Sequence, residues 1–176
     1  PTAGALATAP PLGGLAQLLR VQVASHGFPI PGVYETRLLR EEWAVAHLAE
    51  HVEPDLAEAR ATLAAMAAAG LPADDFLALD AQFHLRLTDA AGNVVVAPTM
   101  AGLRTTIEGY IRAGASRITD WDATVSRLHE EHAAILRAID EGDAARARDL
   151  VRAHITAYYA DAGMPAPSTA VVATPV

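Results

Sequence analysis

The chain has 176 residues, 52% of them hydrophobic, which suits a single domain and excludes wholesale disorder. Its 21 acids face 13 bases, all Arg, for a net charge of −8, a poor field for nucleic-acid phosphates, so direct DNA binding is not expected. The absence of Cys removes disulfides, thiolate metal sites and Cys nucleophiles together. No apolar run reaches the ~18 residues of a membrane span, and the start lacks the basic residues of a signal peptide. The expectation is a soluble, cytoplasmic, acidic domain.

Helical periodicity runs through most of the chain, and the strand-like patch Val94-Val95-Val96 is cut short by Pro98. Residues 1–31 form a Pro/Gly/Ala-rich leader with room for a short helix from Leu15 to Ala24. A long helix is expected from Val33 to about Val52, and a second from Pro54 to a left-handed cap at Gly70. The third opens at Pro72, buries Phe76, Leu79, Phe83 and Leu87, and stops at Gly92-Asn93, with Asn93 taking a left-handed conformation. A fourth runs from about Pro98 to Gly114. A fifth is capped by Thr119 and ends at Asp140, and after a tight Gly142-Asp143 turn a sixth continues to about Ala160. Residues 163–176 read as a flexible tail. The fold class is all-α, an antiparallel bundle of about six helices spanning 32–162.

Polar residues stand on faces that should be apolar. Asp80 and His84 lie i,i+4 on one side of the third helix, overlapping its apolar stripe. His132 sits in register with Leu128, Ile135 and Ile139, and His154 with Val151, Ile155 and Tyr158. The turn at Gly142-Asp143 lies midway between these histidines. At ~1.5 Å rise per residue both imidazoles stand about 15–17 Å from it, at one level on neighbouring antiparallel helices. If the third helix packs on this hairpin, Asp80, His84, His132 and His154 converge as a divalent-metal site. Spacing alone leaves the alternative open that each His is a hydrogen-bonded core residue and the Asp80/His84 pair a surface pair.

Four motifs in order resemble the FCD domain, the ligand-sensing half of FadR-type GntR transcriptional regulators. They are Glu35-x-Arg37-x-x-x-Glu41, Asp80-x-x-Phe83-His84 followed by Ala91-Gly92-Asn93, Glu131-His132-x-x-Ile135-x-x-Ala138-Ile139, and Gly142-Asp143 with Ala147 and His154-Ile155. The resemblance implies that Asp80, His84, His132 and His154 hold a divalent ion (Zn, Ni or Mn), leaving positions for water or a small carboxylate metabolite. It implies a homodimer as well. It makes Arg37 the candidate clamp on the ligand carboxylate, against an ordinary ion pair with Glu41. Only 31 residues precede the first matching helix, so the family's winged helix-turn-helix is expected to be absent and DNA to be reached only through it.

Other candidates carry less. His129 is expected in a supporting or surface role, His47 and His51 on a solvated face, and His26 is uninformative. Arg104 and Tyr110 line the cavity or face outward. No hydrolase, nucleotide-loop or zincin motif occurs. A small metalloenzyme using the same open metal is the alternative function, and a positioned general base would distinguish it; Glu131 is expected to point away from His132's side. A third reading, metal as a structural staple, predicts a closed site with no cavity beside the ion.

Overall fold

A computed structural model describes residues 12–26 and 28–164. Among them are seven α-helices and no strand: α1 Leu12–His26, α2 Ile30–Ala49, α3 Ala57–Met66, α4 Ala73–Ala90, α5 Val96–Ala115, α6 Trp121–Asp140 and α7 Ala144–Asp161. Helix α2 is the central one, packed against α4, α5, α6 and α7, while α6 and α7 form an antiparallel hairpin. The core joins Phe76, Phe83 and Leu87 of α4 to Leu128, Ile135 and Ile139 of α6 and to Val151, Ile155 and Tyr159 of α7. No described helix is long and apolar enough to cross a membrane.

Local chemistry sets several boundaries away from the sequence expectation. Helix α2 begins three residues before Val33 because Pro31 fits its first turn, where no N–H partner is needed. Helix α3 begins at Ala57 rather than Pro54, since Asp55 Oδ1 accepts from the Ala57 N–H (3.1 Å) and holds the preceding backbone in a turn. Thr119 does not cap α6: the N-cap is Asp120, whose carboxylate accepts from Ala123 N. Asn93 is not left-handed either. Gly92 takes that conformation (φ +71°), and Asn93 Oδ1 accepts from Val95 N and Val96 N, turning the strand-like valines into the start of α5. The Asp143 cap stands as expected, accepting from Arg146 N beside Gly142 (φ +71°).

The short helix expected in the leader is the longer α1, and it lies on α5, where Leu19 sits close over Gly102. The leader's residues 1–11 and residues 165–176 of the expected tail lie outside the described residues. The start of that tail is anchored, with Met164 packed against the core.

Candidate metal centre

The apolar stripe of α4 faces the α6–α7 hairpin, and the polar residues within the stripes are carried inward with it. Asp80 (5% exposed) and His84 (3%) come from successive turns of α4, His132 (0%) from α6 and His154 (3%) from α7. One ligand atom from each lies within 4.8 Å of every other. His84 Nε2 stands 3.1 Å from His154 Nε2 and 3.3 Å from His132 Nε2. Asp80 Oδ1 is 3.2 Å from His132 Nε2 and 4.0 Å from each of the other two Nε2 atoms. Phe83 closes one side, its ring centroid 4.5 Å from that of His132. The four sequence candidates therefore meet at one point, at matched heights on three helices.

A second ring of groups grips the outer edges of two imidazoles. His154 Nδ1 donates to Glu131 Oε2 at 2.8 Å, and Glu131 Oε1 also receives Arg127 (2.7 Å). His84 Nδ1 lies 2.6 Å from Glu41 Oε2, close but bent out of hydrogen-bond alignment. Glu41 Oε1 accepts from Arg37 Nε at 2.8 Å, and both partners are buried. His132 Nδ1 is buried with no partner.

Burial is the largest influence on the imidazoles of His132 and His154, disfavouring their charged forms. It pushes His132 down to about 3, with the neighbouring imidazoles adding and Asp80 opposing. His154 is also pushed down by burial, against the pull of Glu131. For Asp80, burial alone would raise the pKa, but the hydrogen bond from His132 and the surrounding imidazoles hold it well below the usual carboxylate range. Burial likewise opposes ionisation of Glu41, yet Arg37 and His84 bring it down to about 2. The donor set thus includes an ionised carboxylate and, in His132 and His154, two imidazoles held toward the neutral form, the state a divalent cation requires.

Arg37 is buried and forms the i,i+4 ion pair with Glu41. It also lines, with Glu41, His84 and Arg104, a cavity of about 10 Å³ beside the cluster, room for roughly one water. Glu131 does not stay clear of the site: its carboxylate crosses to α7 and reaches the cluster through His154. Sequence reasoning missed both glutamates as parts of the centre. Both stood in the family-like motifs, Glu41 also as the ion-pair alternative for Arg37, but their contacts with the imidazoles are made across helices.

The remaining candidates fall elsewhere. His129 is half-buried and outside the converging set. His47 on α2 and His51 just beyond its end pack edge to face at 4.3 Å, with Trp43 stacked on His47, and neither joins the centre. Arg104 pairs with Glu108, and the Tyr110 hydroxyl donates to Phe28 O, tying α5 to the turn before α2. The side chain of His26 lies outside the described residues.

An all-α bundle enclosing three imidazoles and one carboxylate defines a helical domain with a candidate metal-binding core. The chain belongs to the FCD domain family, whose pattern it matches over residues 32–157. Two curated relatives, from Escherichia coli (strain K12) and Shigella flexneri, carry the provisional name L-lactate dehydrogenase operon regulatory protein. Each is 32% identical over 77 residues, 44% of this chain and 30% of the relative. The matched stretch spans less than a third of the length of these relatives.

Proposed function

We propose that this chain is the effector-sensing domain of a FadR-type GntR transcription regulator, binding a divalent cation through Asp80, His84, His132 and His154. One observation carries the metal. His154 gives its Nδ1 proton to Glu131, and His84 turns its Nδ1 to Glu41, yet their Nε2 atoms stand 3.1 Å apart. With its proton on Nδ1, His154 turns a bare Nε2 lone pair to the buried point where His84 Nε2, His132 Nε2 and Asp80 Oδ1 also converge, a donor set that a shared cation satisfies. Nitrogen and oxygen donors without sulfur suit Zn, Ni or Mn. Bound there, the ion would supply a Lewis-acidic anchor for an anionic ligand.

A divalent ion with Asp80 retains a net charge of about +1 in a water-poor interior, which favours an anionic effector. A small carboxylate metabolite, with Arg37 on its free end, is the ligand class we assign. The 10 Å³ cavity requires Arg37, Glu41 or the α5 side chains to shift before such a ligand enters. Effector binding would thereby act on helix positions, and through a homodimer on attached DNA-binding domains in the cytoplasm. Direct DNA contact by this chain is not part of the reading.

The same small cavity favours a second reading, in which the ion staples α4 to the α6–α7 hairpin and no effector enters. The metalloenzyme reading finds no such support, because both carboxylates nearest the imidazoles, Glu41 and Glu131, are engaged by imidazole and arginine. Elemental analysis of the reconstituted protein tests the metal. About one equivalent per chain is expected, and His132→Ala or His154→Ala should abolish it. Reconstituted wild type without metal sinks the site. Thermal shift then separates sensor from staple: 2-hydroxy or 2-oxo acids should raise Tm in metal-loaded wild type and less in Arg37→Ala.

A further inference from the structure

We infer that Glu131 is a positioning residue of the metal centre, holding the outer nitrogen of His154 so that its Nε2 is committed to the cation. The inference rests on the proposed metal site and concerns a residue outside its four donors.

A neutral imidazole carries one proton, and the partner of one nitrogen decides which nitrogen is left to bind a metal. Glu131 Oε2 receives the Nδ1–H of His154 at 2.8 Å, which fixes that ring's tautomer and its rotation about χ2. The carboxylate is itself held. Arg127 donates to Glu131 Oε1 through Nη1 and to Asp161 through Nη2, both at 2.7 Å, so α6 and the end of α7 lock the glutamate in place. On the opposite side Glu41, paired with Arg37, sets its Oε2 2.6 Å from His84 Nδ1 but out of hydrogen-bond alignment, so it does not fix that ring's tautomer.

The two carboxylates differ in setting. Glu41 is sealed inside, while the Glu131 side chain is 27% exposed and can be altered with little repacking. His132 has no such support: its Nδ1 is buried without a partner, and its Nε2 faces Asp80 instead. The three imidazoles are therefore unequal: His154 is hydrogen-bonded from outside by a carboxylate, His84 has one beside it out of alignment, and His132 faces the aspartate alone.

The test has two arms. Nitrogen-15 NMR of metal-free wild type reads the tautomers directly, and His154 should carry its proton on Nδ1. Chelator competition with Zn²⁺ then compares wild type with Glu131→Ala, Glu131→Gln and Arg127→Ala. Removing the carboxylate should weaken Zn²⁺ binding about 10–100-fold. Glu131→Gln, which keeps an acceptor oxygen, should recover part of the loss, and Arg127→Ala should stay nearer wild type. A purely structural Glu131 would lower Tm without moving either readout. Zn²⁺ affinity of Glu131→Ala within twofold of wild type, or a His154 proton on Nε2, overturns the inference. If wild type takes no Zn²⁺, the metal reading fails, and the tautomer arm still decides what Glu131 does.

Discussion

His132 is wholly enclosed, and its preference for the neutral form makes it an acid-sensitive element of the fold. In the unfolded chain it takes up a proton near pH 6.5, and in the folded protein only near pH 3. Between those values the unfolded state binds more protons, so stability falls as pH falls, by about 1.4 kcal/mol per pH unit for one such group. His154, shifted in the same direction, steepens the loss. Urea denaturation of metal-free protein from pH 7 to pH 4 should show this decline, and His132→Leu should flatten it. A pH-independent midpoint in wild type would contradict neutral, buried imidazoles. The four donors were legible because each interrupts an apolar stripe at helical spacing. The glutamates were legible only as motif positions, because the sequence does not show which neighbouring helix a surface glutamate reaches. Their second partners exist only after α2 meets α4 and α6 meets α7.

The helices themselves were legible from periodicity and from breakers such as Gly70, Gly92 and Gly142, all of which take positive φ. Their first residues were less so, since Thr119 and Asp120 are both good caps, and only geometry selects the aspartate. The leader helix was underestimated because small residues such as Ala16 gain their burial from a close partner. That closeness is testable at glycines of α5. A Cβ on Gly114 would meet Ala162 Cβ at 2.6 Å, a short side chain that cannot swing away. Overpacking of this kind costs about 1–3 kcal/mol, against a gain of about 1 kcal/mol from helix propensity. Gly114→Ala should therefore lower Tm by a few degrees. Gly102→Ala would place a Cβ 2.7 Å from Leu19 Cβ. Hydrogen exchange should then accelerate in α1 while α4, α6 and α7 keep wild-type protection. Faster exchange throughout the chain would show that α1 supports the whole bundle.

For the molecule as a whole, the charge distribution predicts indifference to DNA. Net charge is −8, and several arginines are already tied to carboxylates, Arg60 to Asp140 and Arg152 to Glu42 among them. Residues 1–176 should give no sequence-specific gel shift, and a salt-sensitive, operator-specific complex would overturn that. Chelation offers the complementary measurement. A cation bound only by the native state stabilises it by mass action, so removing the ion should lower Tm, and His154→Ala should make the protein insensitive to chelator.

None of the four donors is more than 5% exposed. Burial of this degree would make the proposed centre, once loaded, a kinetic trap for its ion. An ion cannot leave by stepping from one exposed ligand into solvent, so α4 and the α6–α7 hairpin must part first. Residence time is then set by how often the bundle breathes, and the rate of metal exchange becomes a clock for that opening.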